Sequence, residues 1–146
     1  MLTPAIAGVA GVLVMILFLR RARYLHLPET QMIRAIGSAV TKDAGNALWP
    51  GFAIHLVMGI LFSYGYMLLL RTAPVEGVLS LRGHLIVYGV MGTVHGLIVT
   101  LILVITVVQY HPLEEFRKME PGDMASHVIA HIAYGVTLGV VMALMS

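Results

Sequence analysis

Long apolar stretches alternate along the chain with segments that carry all of its charged residues. Four stretches, 1–19, 47–70, 83–110 and 124–145, contain no Lys, Arg, Asp or Glu. A helix of about 20 apolar residues is long enough to cross the hydrocarbon core of a bilayer. The runs are continuous rather than alternating, which is typical of helices and not of barrel strands. The pattern therefore predicts a single all-α membrane domain with four transmembrane helices.

The segment between the first two stretches has a different pattern. From Leu27 to Val40, apolar side chains recur at roughly helical spacing among polar ones, just after Pro28. This spacing predicts a short amphipathic helix over 29–40 that lies in the cytoplasmic interface of the membrane. An ordered loop that packs against the helix bundle is the alternative interpretation.

Composition agrees with a membrane protein and excludes several classes of function. Of 146 residues, 59% are hydrophobic and 11% are charged, whereas about a quarter of the residues in soluble domains are charged. Nine basic residues are too few for a nucleic-acid surface, and the lack of cysteine excludes disulfides, zinc ribbons and thiol catalysis. We expect membrane lipids and other transmembrane subunits as partners, and no nucleic acid.

The distribution of basic residues predicts the orientation. Cytoplasmic loops of membrane proteins carry an excess of Lys and Arg. Only Arg71 and Arg82 flank the loop between the second and third stretches. The other basic residues lie in the two remaining connections, at Arg20, Arg21, Arg23, Arg34, Lys42, Arg117 and Lys118. The chain is thus predicted to be a multi-pass protein of the cell (inner) membrane, with both termini on the non-cytoplasmic side.

Short runs recur in the two halves of the chain. The run GVAG at 8–11 resembles GVMG at 89–92, and HLVMG at 55–59 resembles HIAYG at 131–135. The offsets are similar, so the recurrence predicts two helix hairpins related by an axis along the membrane normal. The glycines and other small residues of these runs are spaced for close helix packing.

Four of the seven histidines, His55, His95, His127 and His131, fall within hydrocarbon depth, where ionisable residues are costly and are functional candidates. His55 and His131 occupy corresponding positions of the repeat, both about 12 Å into the membrane at the helical rise per residue. Two opposed neutral imidazoles can provide the axial ligands of a b-type haem. His55 and His131 are therefore the candidate ligands of a haem or pigment.

The remaining histidines suggest other roles. His127 and His131 share one helix face, and with His55 they could form a copper or zinc site. His95 is a further candidate metal ligand, but the helical rise places it about 8–10 Å deeper. His26 and His111 are expected in water or headgroups and His84 at the interface. The alternative for every buried histidine is a hydrogen bond that fixes helix packing.

The chain resembles an uncharacterised family of small four-helix prokaryotic integral membrane proteins. The resemblance rests on Gly-Val-Ala-Gly in the first stretch, Ala-Ile-His-Leu-Val-Met-Gly-Ile in the second and Val-His-Gly in the third. It continues through His111-Pro112-Leu113 and through Ala-His-Ile-Ala-Tyr-Gly in the last stretch. The resemblance covers nearly the whole chain and implies the four-helix fold, but the family has no known activity.

Two functions follow from these features. The small size and the lack of a recognisable nucleophile, carboxylate pair or phosphate loop favour a non-catalytic membrane subunit. Such a subunit would pack within a larger membrane complex, for example an energy-transducing one. The alternative is a small cytochrome-b-like electron-transfer protein that binds haem b through two histidines.

Overall fold

The computed structural model describes residues 2–72 and 80–145, which are almost entirely helical and contain no strand. Its helices are α1 (Thr3–Arg21), α2 (Met32–Thr41), α3 (Leu48–Arg71), α4 (Leu81–Leu103) and α5 (Pro121–Met145). A π-helical turn, Val104–Val108, extends α4, and short 3₁₀ turns lie at Ala22–Leu25 and Glu114–Phe116. The prediction of four long apolar helices is confirmed, with ends that differ from the predicted ones by a few residues.

The four long helices are long and apolar enough to cross a membrane. Their charged residues all lie near a helix end, at Arg20, Arg21, Arg71, Arg82 and Asp123. The middle of each helix is therefore uncharged, and its backbone polar groups are paired within the helix, as a hydrocarbon environment requires.

The short helix predicted over 29–40 is present as α2, but it begins at Met32 and not directly after Pro28. Residues 28–31 are non-helical, and Ser126 Oγ donates a hydrogen bond to the Pro28 carbonyl at 3.1 Å, which ties this segment to α5. The helix packs tightly on α3. A Cβ atom at Gly37 would collide with the Ala47 carbonyl, so a glycine is needed at this helix crossing.

The long helices form a bundle in the order α4, α5, α1, α3, in which each neighbouring pair packs closely. Glycines make the approaches between them possible. Gly92 on α4 faces Gly135 on α5, and a Cβ atom at Gly8 on α1 would lie 2.8 Å from Ile60 Cα on α3. By contrast, α3 and α4 approach each other less closely, and side chains rather than backbones bridge them.

Hydrogen bonds between helices reinforce the α1, α3 and α5 side of the bundle. Ser63 Oγ on α3 donates to the Pro4 carbonyl of α1 at 2.6 Å, and the Tyr134 hydroxyl on α5 donates to the Gly59 carbonyl of α3. Both donors are buried. These bonds satisfy polar groups that have no water to bond, and they fix one wall of the gap between α3 and α4.

Candidate functional site

A cavity of about 240 Å³ lies inside the bundle, mainly between α3, α4 and α5. The four histidines predicted within hydrocarbon depth all line it: His55 from α3, His95 from α4, and His127 and His131 from α5. The structure thus brings the predicted haem ligands and the predicted metal ligands into one place.

Helical periodicity explains why these side chains converge. On α5, His127, His131 and Tyr134 follow one another at spacings of four and three residues, so they share one helix face. On α3, His55 and Phe62 are seven residues apart, again on one face. The two faces meet at the cavity because α1 holds α3 and α5 on either side of itself.

The hydrogen bond of His131 defines its tautomer. Its Nδ1 lies 2.9 Å from the His127 carbonyl oxygen of the same helix. A carbonyl can only accept, so Nδ1 carries the proton and donates, and Nε2 of the neutral ring keeps its lone pair. Histidines that bind metals or cofactors commonly have one ring nitrogen bonded to a carbonyl in this way.

His127 is the most unusual residue of the site. It is only 1% exposed, and within the described part of the chain neither of its ring nitrogens has a hydrogen-bond partner. Its ring centroid lies 4.5 Å from that of His131. Leaving a buried polar group unpaired costs about 1–3 kcal/mol. An unpaired buried side chain that lines a cavity is a candidate for contact with a ligand.

His95 belongs to the same cluster. Its Nδ1 lies 3.1 Å from the Tyr66 hydroxyl, whereas its Nε2 is buried and has no partner among the described residues. Its ring centroid is 4.1 Å from that of Phe62 and 5.0 Å from that of His131. The rings of His95, His131 and His127 therefore form a continuous contact across the cavity.

The sequence-based depth of His95, well below His55 and His131, is wrong. The adjacent Gly96 packs against Val128 and His131, which puts His95 at their level. In this register the π-helical turn Val104–Val108, which follows α4 within the third apolar stretch, extends beyond the start of α5. Counting from that end therefore overestimates how far His95 lies inside the bundle.

The rest of the lining is apolar and uncharged. It includes Met15, Ile54, Val99 and Leu103, and no Lys, Arg, Asp or Glu is found among the described residues that surround the cavity. Placing a net charge in such surroundings is costly unless an opposite charge accompanies it. The site is thus suited to a neutral ligand.

The cavity reaches the outer surface of the bundle between α3 and α4. Met58 on α3 and Ile102 on α4 both line it, yet they are 42% and 50% exposed. Toward α2, the lining includes Ile36. Access is therefore from the side of the bundle, through the gap between α3 and α4, whose backbones do not approach closely.

Metal binding by the histidines finds no support in their arrangement. Among residues 2–72 and 80–145, no group of three or more His, Asp or Glu side chains is placed to hold a metal ion. The predicted roles of His127 and His95 as metal ligands stay predictions.

Outside the cavity, His111 was expected in water or headgroups, and this expectation is wrong. The side chain is 2% exposed, its Nε2 donates to the Ala35 carbonyl at 2.9 Å, and its Nδ1 accepts from the Leu113 amide at 3.0 Å. His111 thus joins α2 to the segment that follows α4. His26 is exposed as expected, and the half-buried His84 stacks on Tyr88.

Sequence reasoning did not single out the aromatic residues of the site. Phe62 and Tyr66 lie one helical turn apart on α3 and both contact His95, and Tyr134 lies within ring contact of it. The spacing of Phe62 from His55 (seven residues) and of Tyr134 from His131 (three residues) was a usable signal, because residues at these spacings share a helix face.

No protein-family model, curated protein or solved structure gives a significant match to this chain. The resemblance to an uncharacterised membrane-protein family therefore stays a prediction, and the function must be argued from the site itself.

Proposed function

We propose that the protein is an integral membrane protein with four spans and with both termini on the non-cytoplasmic side. The length and apolar composition of α1, α3, α4 and α5 support insertion. Trp49 and Tyr110 are 77% and 74% exposed at the bundle end where α2 lies. Exposed aromatic residues of this kind mark the membrane–water interface. The excess of basic residues at the same end supports its assignment to the cytoplasm.

In the proposed duplication, the cavity lies at a difference between two otherwise corresponding helix pairs. One hairpin consists of α1 and α3, the other of α4 and α5, and close glycine contacts hold each together. A two-fold relation would make the α1–α5 and α4–α3 pairs equivalent. The first pair packs closely and the second is held apart by side chains. The cavity lies at the α4–α3 pair, which departs from the proposed two-fold relation.

The function that we propose is that of a non-catalytic membrane subunit that holds a neutral ligand in the histidine-lined cavity. The observation that carries this proposal is His127, which is buried in the cavity wall with both ring nitrogens unpaired among the described residues. A histidine that only fixed helix packing would have a hydrogen-bond partner. A ligand that bonds to it would remove the cost of burying it.

Haem is the ligand that the histidine pair first suggests. The donor set suits it, because His131 presents a free Nε2 and His55 lines the same cavity from another helix. The space does not suit it. Pockets for drug-sized ligands occupy about 300–1,000 Å³, and a porphyrin is at least that size, whereas the cavity measures about 240 Å³. The cytochrome-b-like alternative stays a prediction that requires α3 and α4 to separate.

The outer faces of α3 and α4 support contact with lipids and with other transmembrane subunits. Large apolar side chains on these faces are widely exposed, among them Leu61, Leu68, Val94, Leu97 and Leu101. The glycines that the sequence spaces for close helix packing contact other helices of the same chain. Partner subunits would therefore contact the larger aliphatic side chains on the outer faces of α3 and α4.

The test is to extract the protein together with its surrounding lipids into polymer-bounded nanodiscs and to measure bound small molecules by native mass spectrometry. Two matched variants locate the ligand. Val99→Phe adds volume inside the cavity, whereas Val94→Phe makes the same change on an exposed face of α4.

We expect the wild type and Val94→Phe to retain a stoichiometric small molecule that Val99→Phe loses. A protein that releases no bound molecule, or one that retains it equally in all three forms, would refute the proposed function. An absorption spectrum of the same sample distinguishes haem, since a Soret band would show that the bundle opens to accept a porphyrin.

A further inference from the structure

We infer that the ligand of the histidine-lined cavity is a lipid-soluble quinone, bound by its ring and entering between α3 and α4. This inference rests on the proposed function and names the chemical class of the ligand. It is argued from the volume of the cavity, its unpaired nitrogens, its aromatic walls and its opening.

The volume corresponds to a single substituted ring. An apolar cavity of about 150 Å³ holds a benzene molecule, and pockets for drug-sized ligands begin at about 300 Å³. The cavity, at about 240 Å³, lies between these values. A six-membered ring with small substituents fits this space, whereas a larger polycyclic molecule does not.

The polar groups of the cavity match the two oxygens of a quinone. Imidazole nitrogens of His127, together with Nε2 of His95, are buried without partners among the described residues. A neutral imidazole has one N–H donor and one acceptor nitrogen. The donor can bond a quinone carbonyl, and the acceptor can bond the hydroxyl of a quinol. Nε2 of His131, which keeps its lone pair, is a second acceptor for a quinol hydroxyl.

The walls provide the surfaces that a flat ring needs. Phe62 from α3 and Tyr134 from α5 both line the cavity, and the ring of His95 lies between α3 and α5 in contact with both residues. Aromatic rings gain about 0.5–1.5 kcal/mol from stacked or edge-to-face contacts beyond the burial of their area. A planar ligand can make such contacts where a fatty-acyl chain cannot.

The opening provides a path for an isoprenoid tail. The exposed lining residues Met58 and Ile102 place the mouth on the side of the bundle. Ile98, four residues from Ile102 and on the same face of α4, is apolar and 53% exposed. A tail that leaves the cavity here would remain in the hydrocarbon layer, and the ring would not need to cross water.

The inference is tested by direct titration of the purified protein in nanodiscs with decylubiquinone. Bound quinone is quantified after rapid removal of excess ligand. Decylbenzene, which has the same tail and a ring without oxygens, measures the apolar contribution alone. We expect decylubiquinone to bind, and His127→Leu and His95→Leu each to weaken its affinity about tenfold through the loss of one hydrogen bond.

Control variants make the result specific. Val99→Phe should abolish quinone binding, whereas Val94→Phe and His84→Leu, both outside the cavity lining, should leave it unchanged. Decylbenzene should bind more weakly and should not distinguish His127→Leu from the wild type. Equal affinity for the two ligands would overturn the quinone assignment and indicate an acyl-type occupant.

The outcomes separate this inference from the function on which it rests. If Val99→Phe loses a native molecule but decylubiquinone does not bind to the wild type, the cavity holds a ligand of another class. The quinone assignment then falls and the proposed function stands. If neither a native molecule nor decylubiquinone is held in the cavity, both are refuted.

Discussion

Replacing His127 with leucine should make the ligand-free protein more stable. The side chain is 1% exposed and its ring nitrogens have no hydrogen-bond partner among the described residues. A leucine of similar volume would keep the contacts with the bundle and remove the unpaired polar atoms. Since an unpaired buried polar group costs about 1–3 kcal/mol, we expect the free energy of unfolding to rise by up to that amount.

The matched control is the same substitution at His111. That residue is also buried, at 2% exposed, but its ring nitrogens pair with the Ala35 carbonyl and the Leu113 amide. His111→Leu removes both bonds and leaves the Leu113 amide without that acceptor. We expect the free energy of unfolding to fall by about 3–5 kcal/mol, from two hydrogen bonds at about 1 kcal/mol each and a penalty of about 1–3 kcal/mol for the unsatisfied amide.

The assay is reversible unfolding in mixed micelles, followed by far-ultraviolet circular dichroism after removal of bound small molecules. The two variants should change stability in opposite directions, and His127→Leu should also lose ligand binding. A gain in stability together with a loss of ligand binding is expected of a residue that serves the binding site at a cost in stability. If His127→Leu instead destabilises the ligand-free protein as much as His111→Leu does, His127 has structural bonds and our reasoning is wrong.

Three further predictions concern contacts between helices; the first and third are measured by the same unfolding assay and the second by proteolysis. Gly135→Ala should destabilise the protein by about 1–3 kcal/mol through overpacking at the α4–α5 crossing. Gly65→Ala, with open space around it, should be neutral or stabilising. Equal effects of the two substitutions would contradict the close contact of α4 and α5 at Gly135. Gly37→Ala should detach α2 from α3, because its Cβ would collide with the Ala47 carbonyl. Proteolysis of the α2 segment should then be faster than in the wild type. An unchanged cleavage rate would argue against this contact. Ser63→Ala removes the 2.6 Å bond to α1 and should cost about 0.6 kcal/mol, the average for hydrogen bonds between membrane helices; a loss of several kcal/mol would indicate a larger role.

The sequence was sufficient to predict the helices, because apolar runs of spanning length and the positions of charges report directly on them. It also predicted, from the helical rise alone, that His55 and His131 lie at the same depth. Both line the cavity, as predicted for residues that face the bundle interior. The start of α2 lies three residues later than the sequence predicts, and the segment before it contacts Ser126, which is distant in the sequence.

The predictions for two histidines were wrong because they depend on how the helices are aligned along the bundle. His95 was placed too deep because nothing in the sequence shows that α4 extends past the start of α5. His111 was expected in water because its partners, Ala35 and Leu113, come from two different segments. Whether a polar group has a hydrogen-bond partner depends on tertiary packing, which hydrophobic periodicity does not reveal.

The central claim, that the histidine-lined cavity is a ligand site, is tested most directly by nitrogen NMR of ¹⁵N-histidine-labelled protein in nanodiscs. Resonances are assigned with single His→Leu variants and followed during titration with decylubiquinone. The account predicts that the ring nitrogens of His127 and His95 shift, because they gain hydrogen bonds, while those of His26 and His84 do not. Unchanged signals from His127 and His95 at saturating quinone, or shifts confined to His26 and His84, would contradict it.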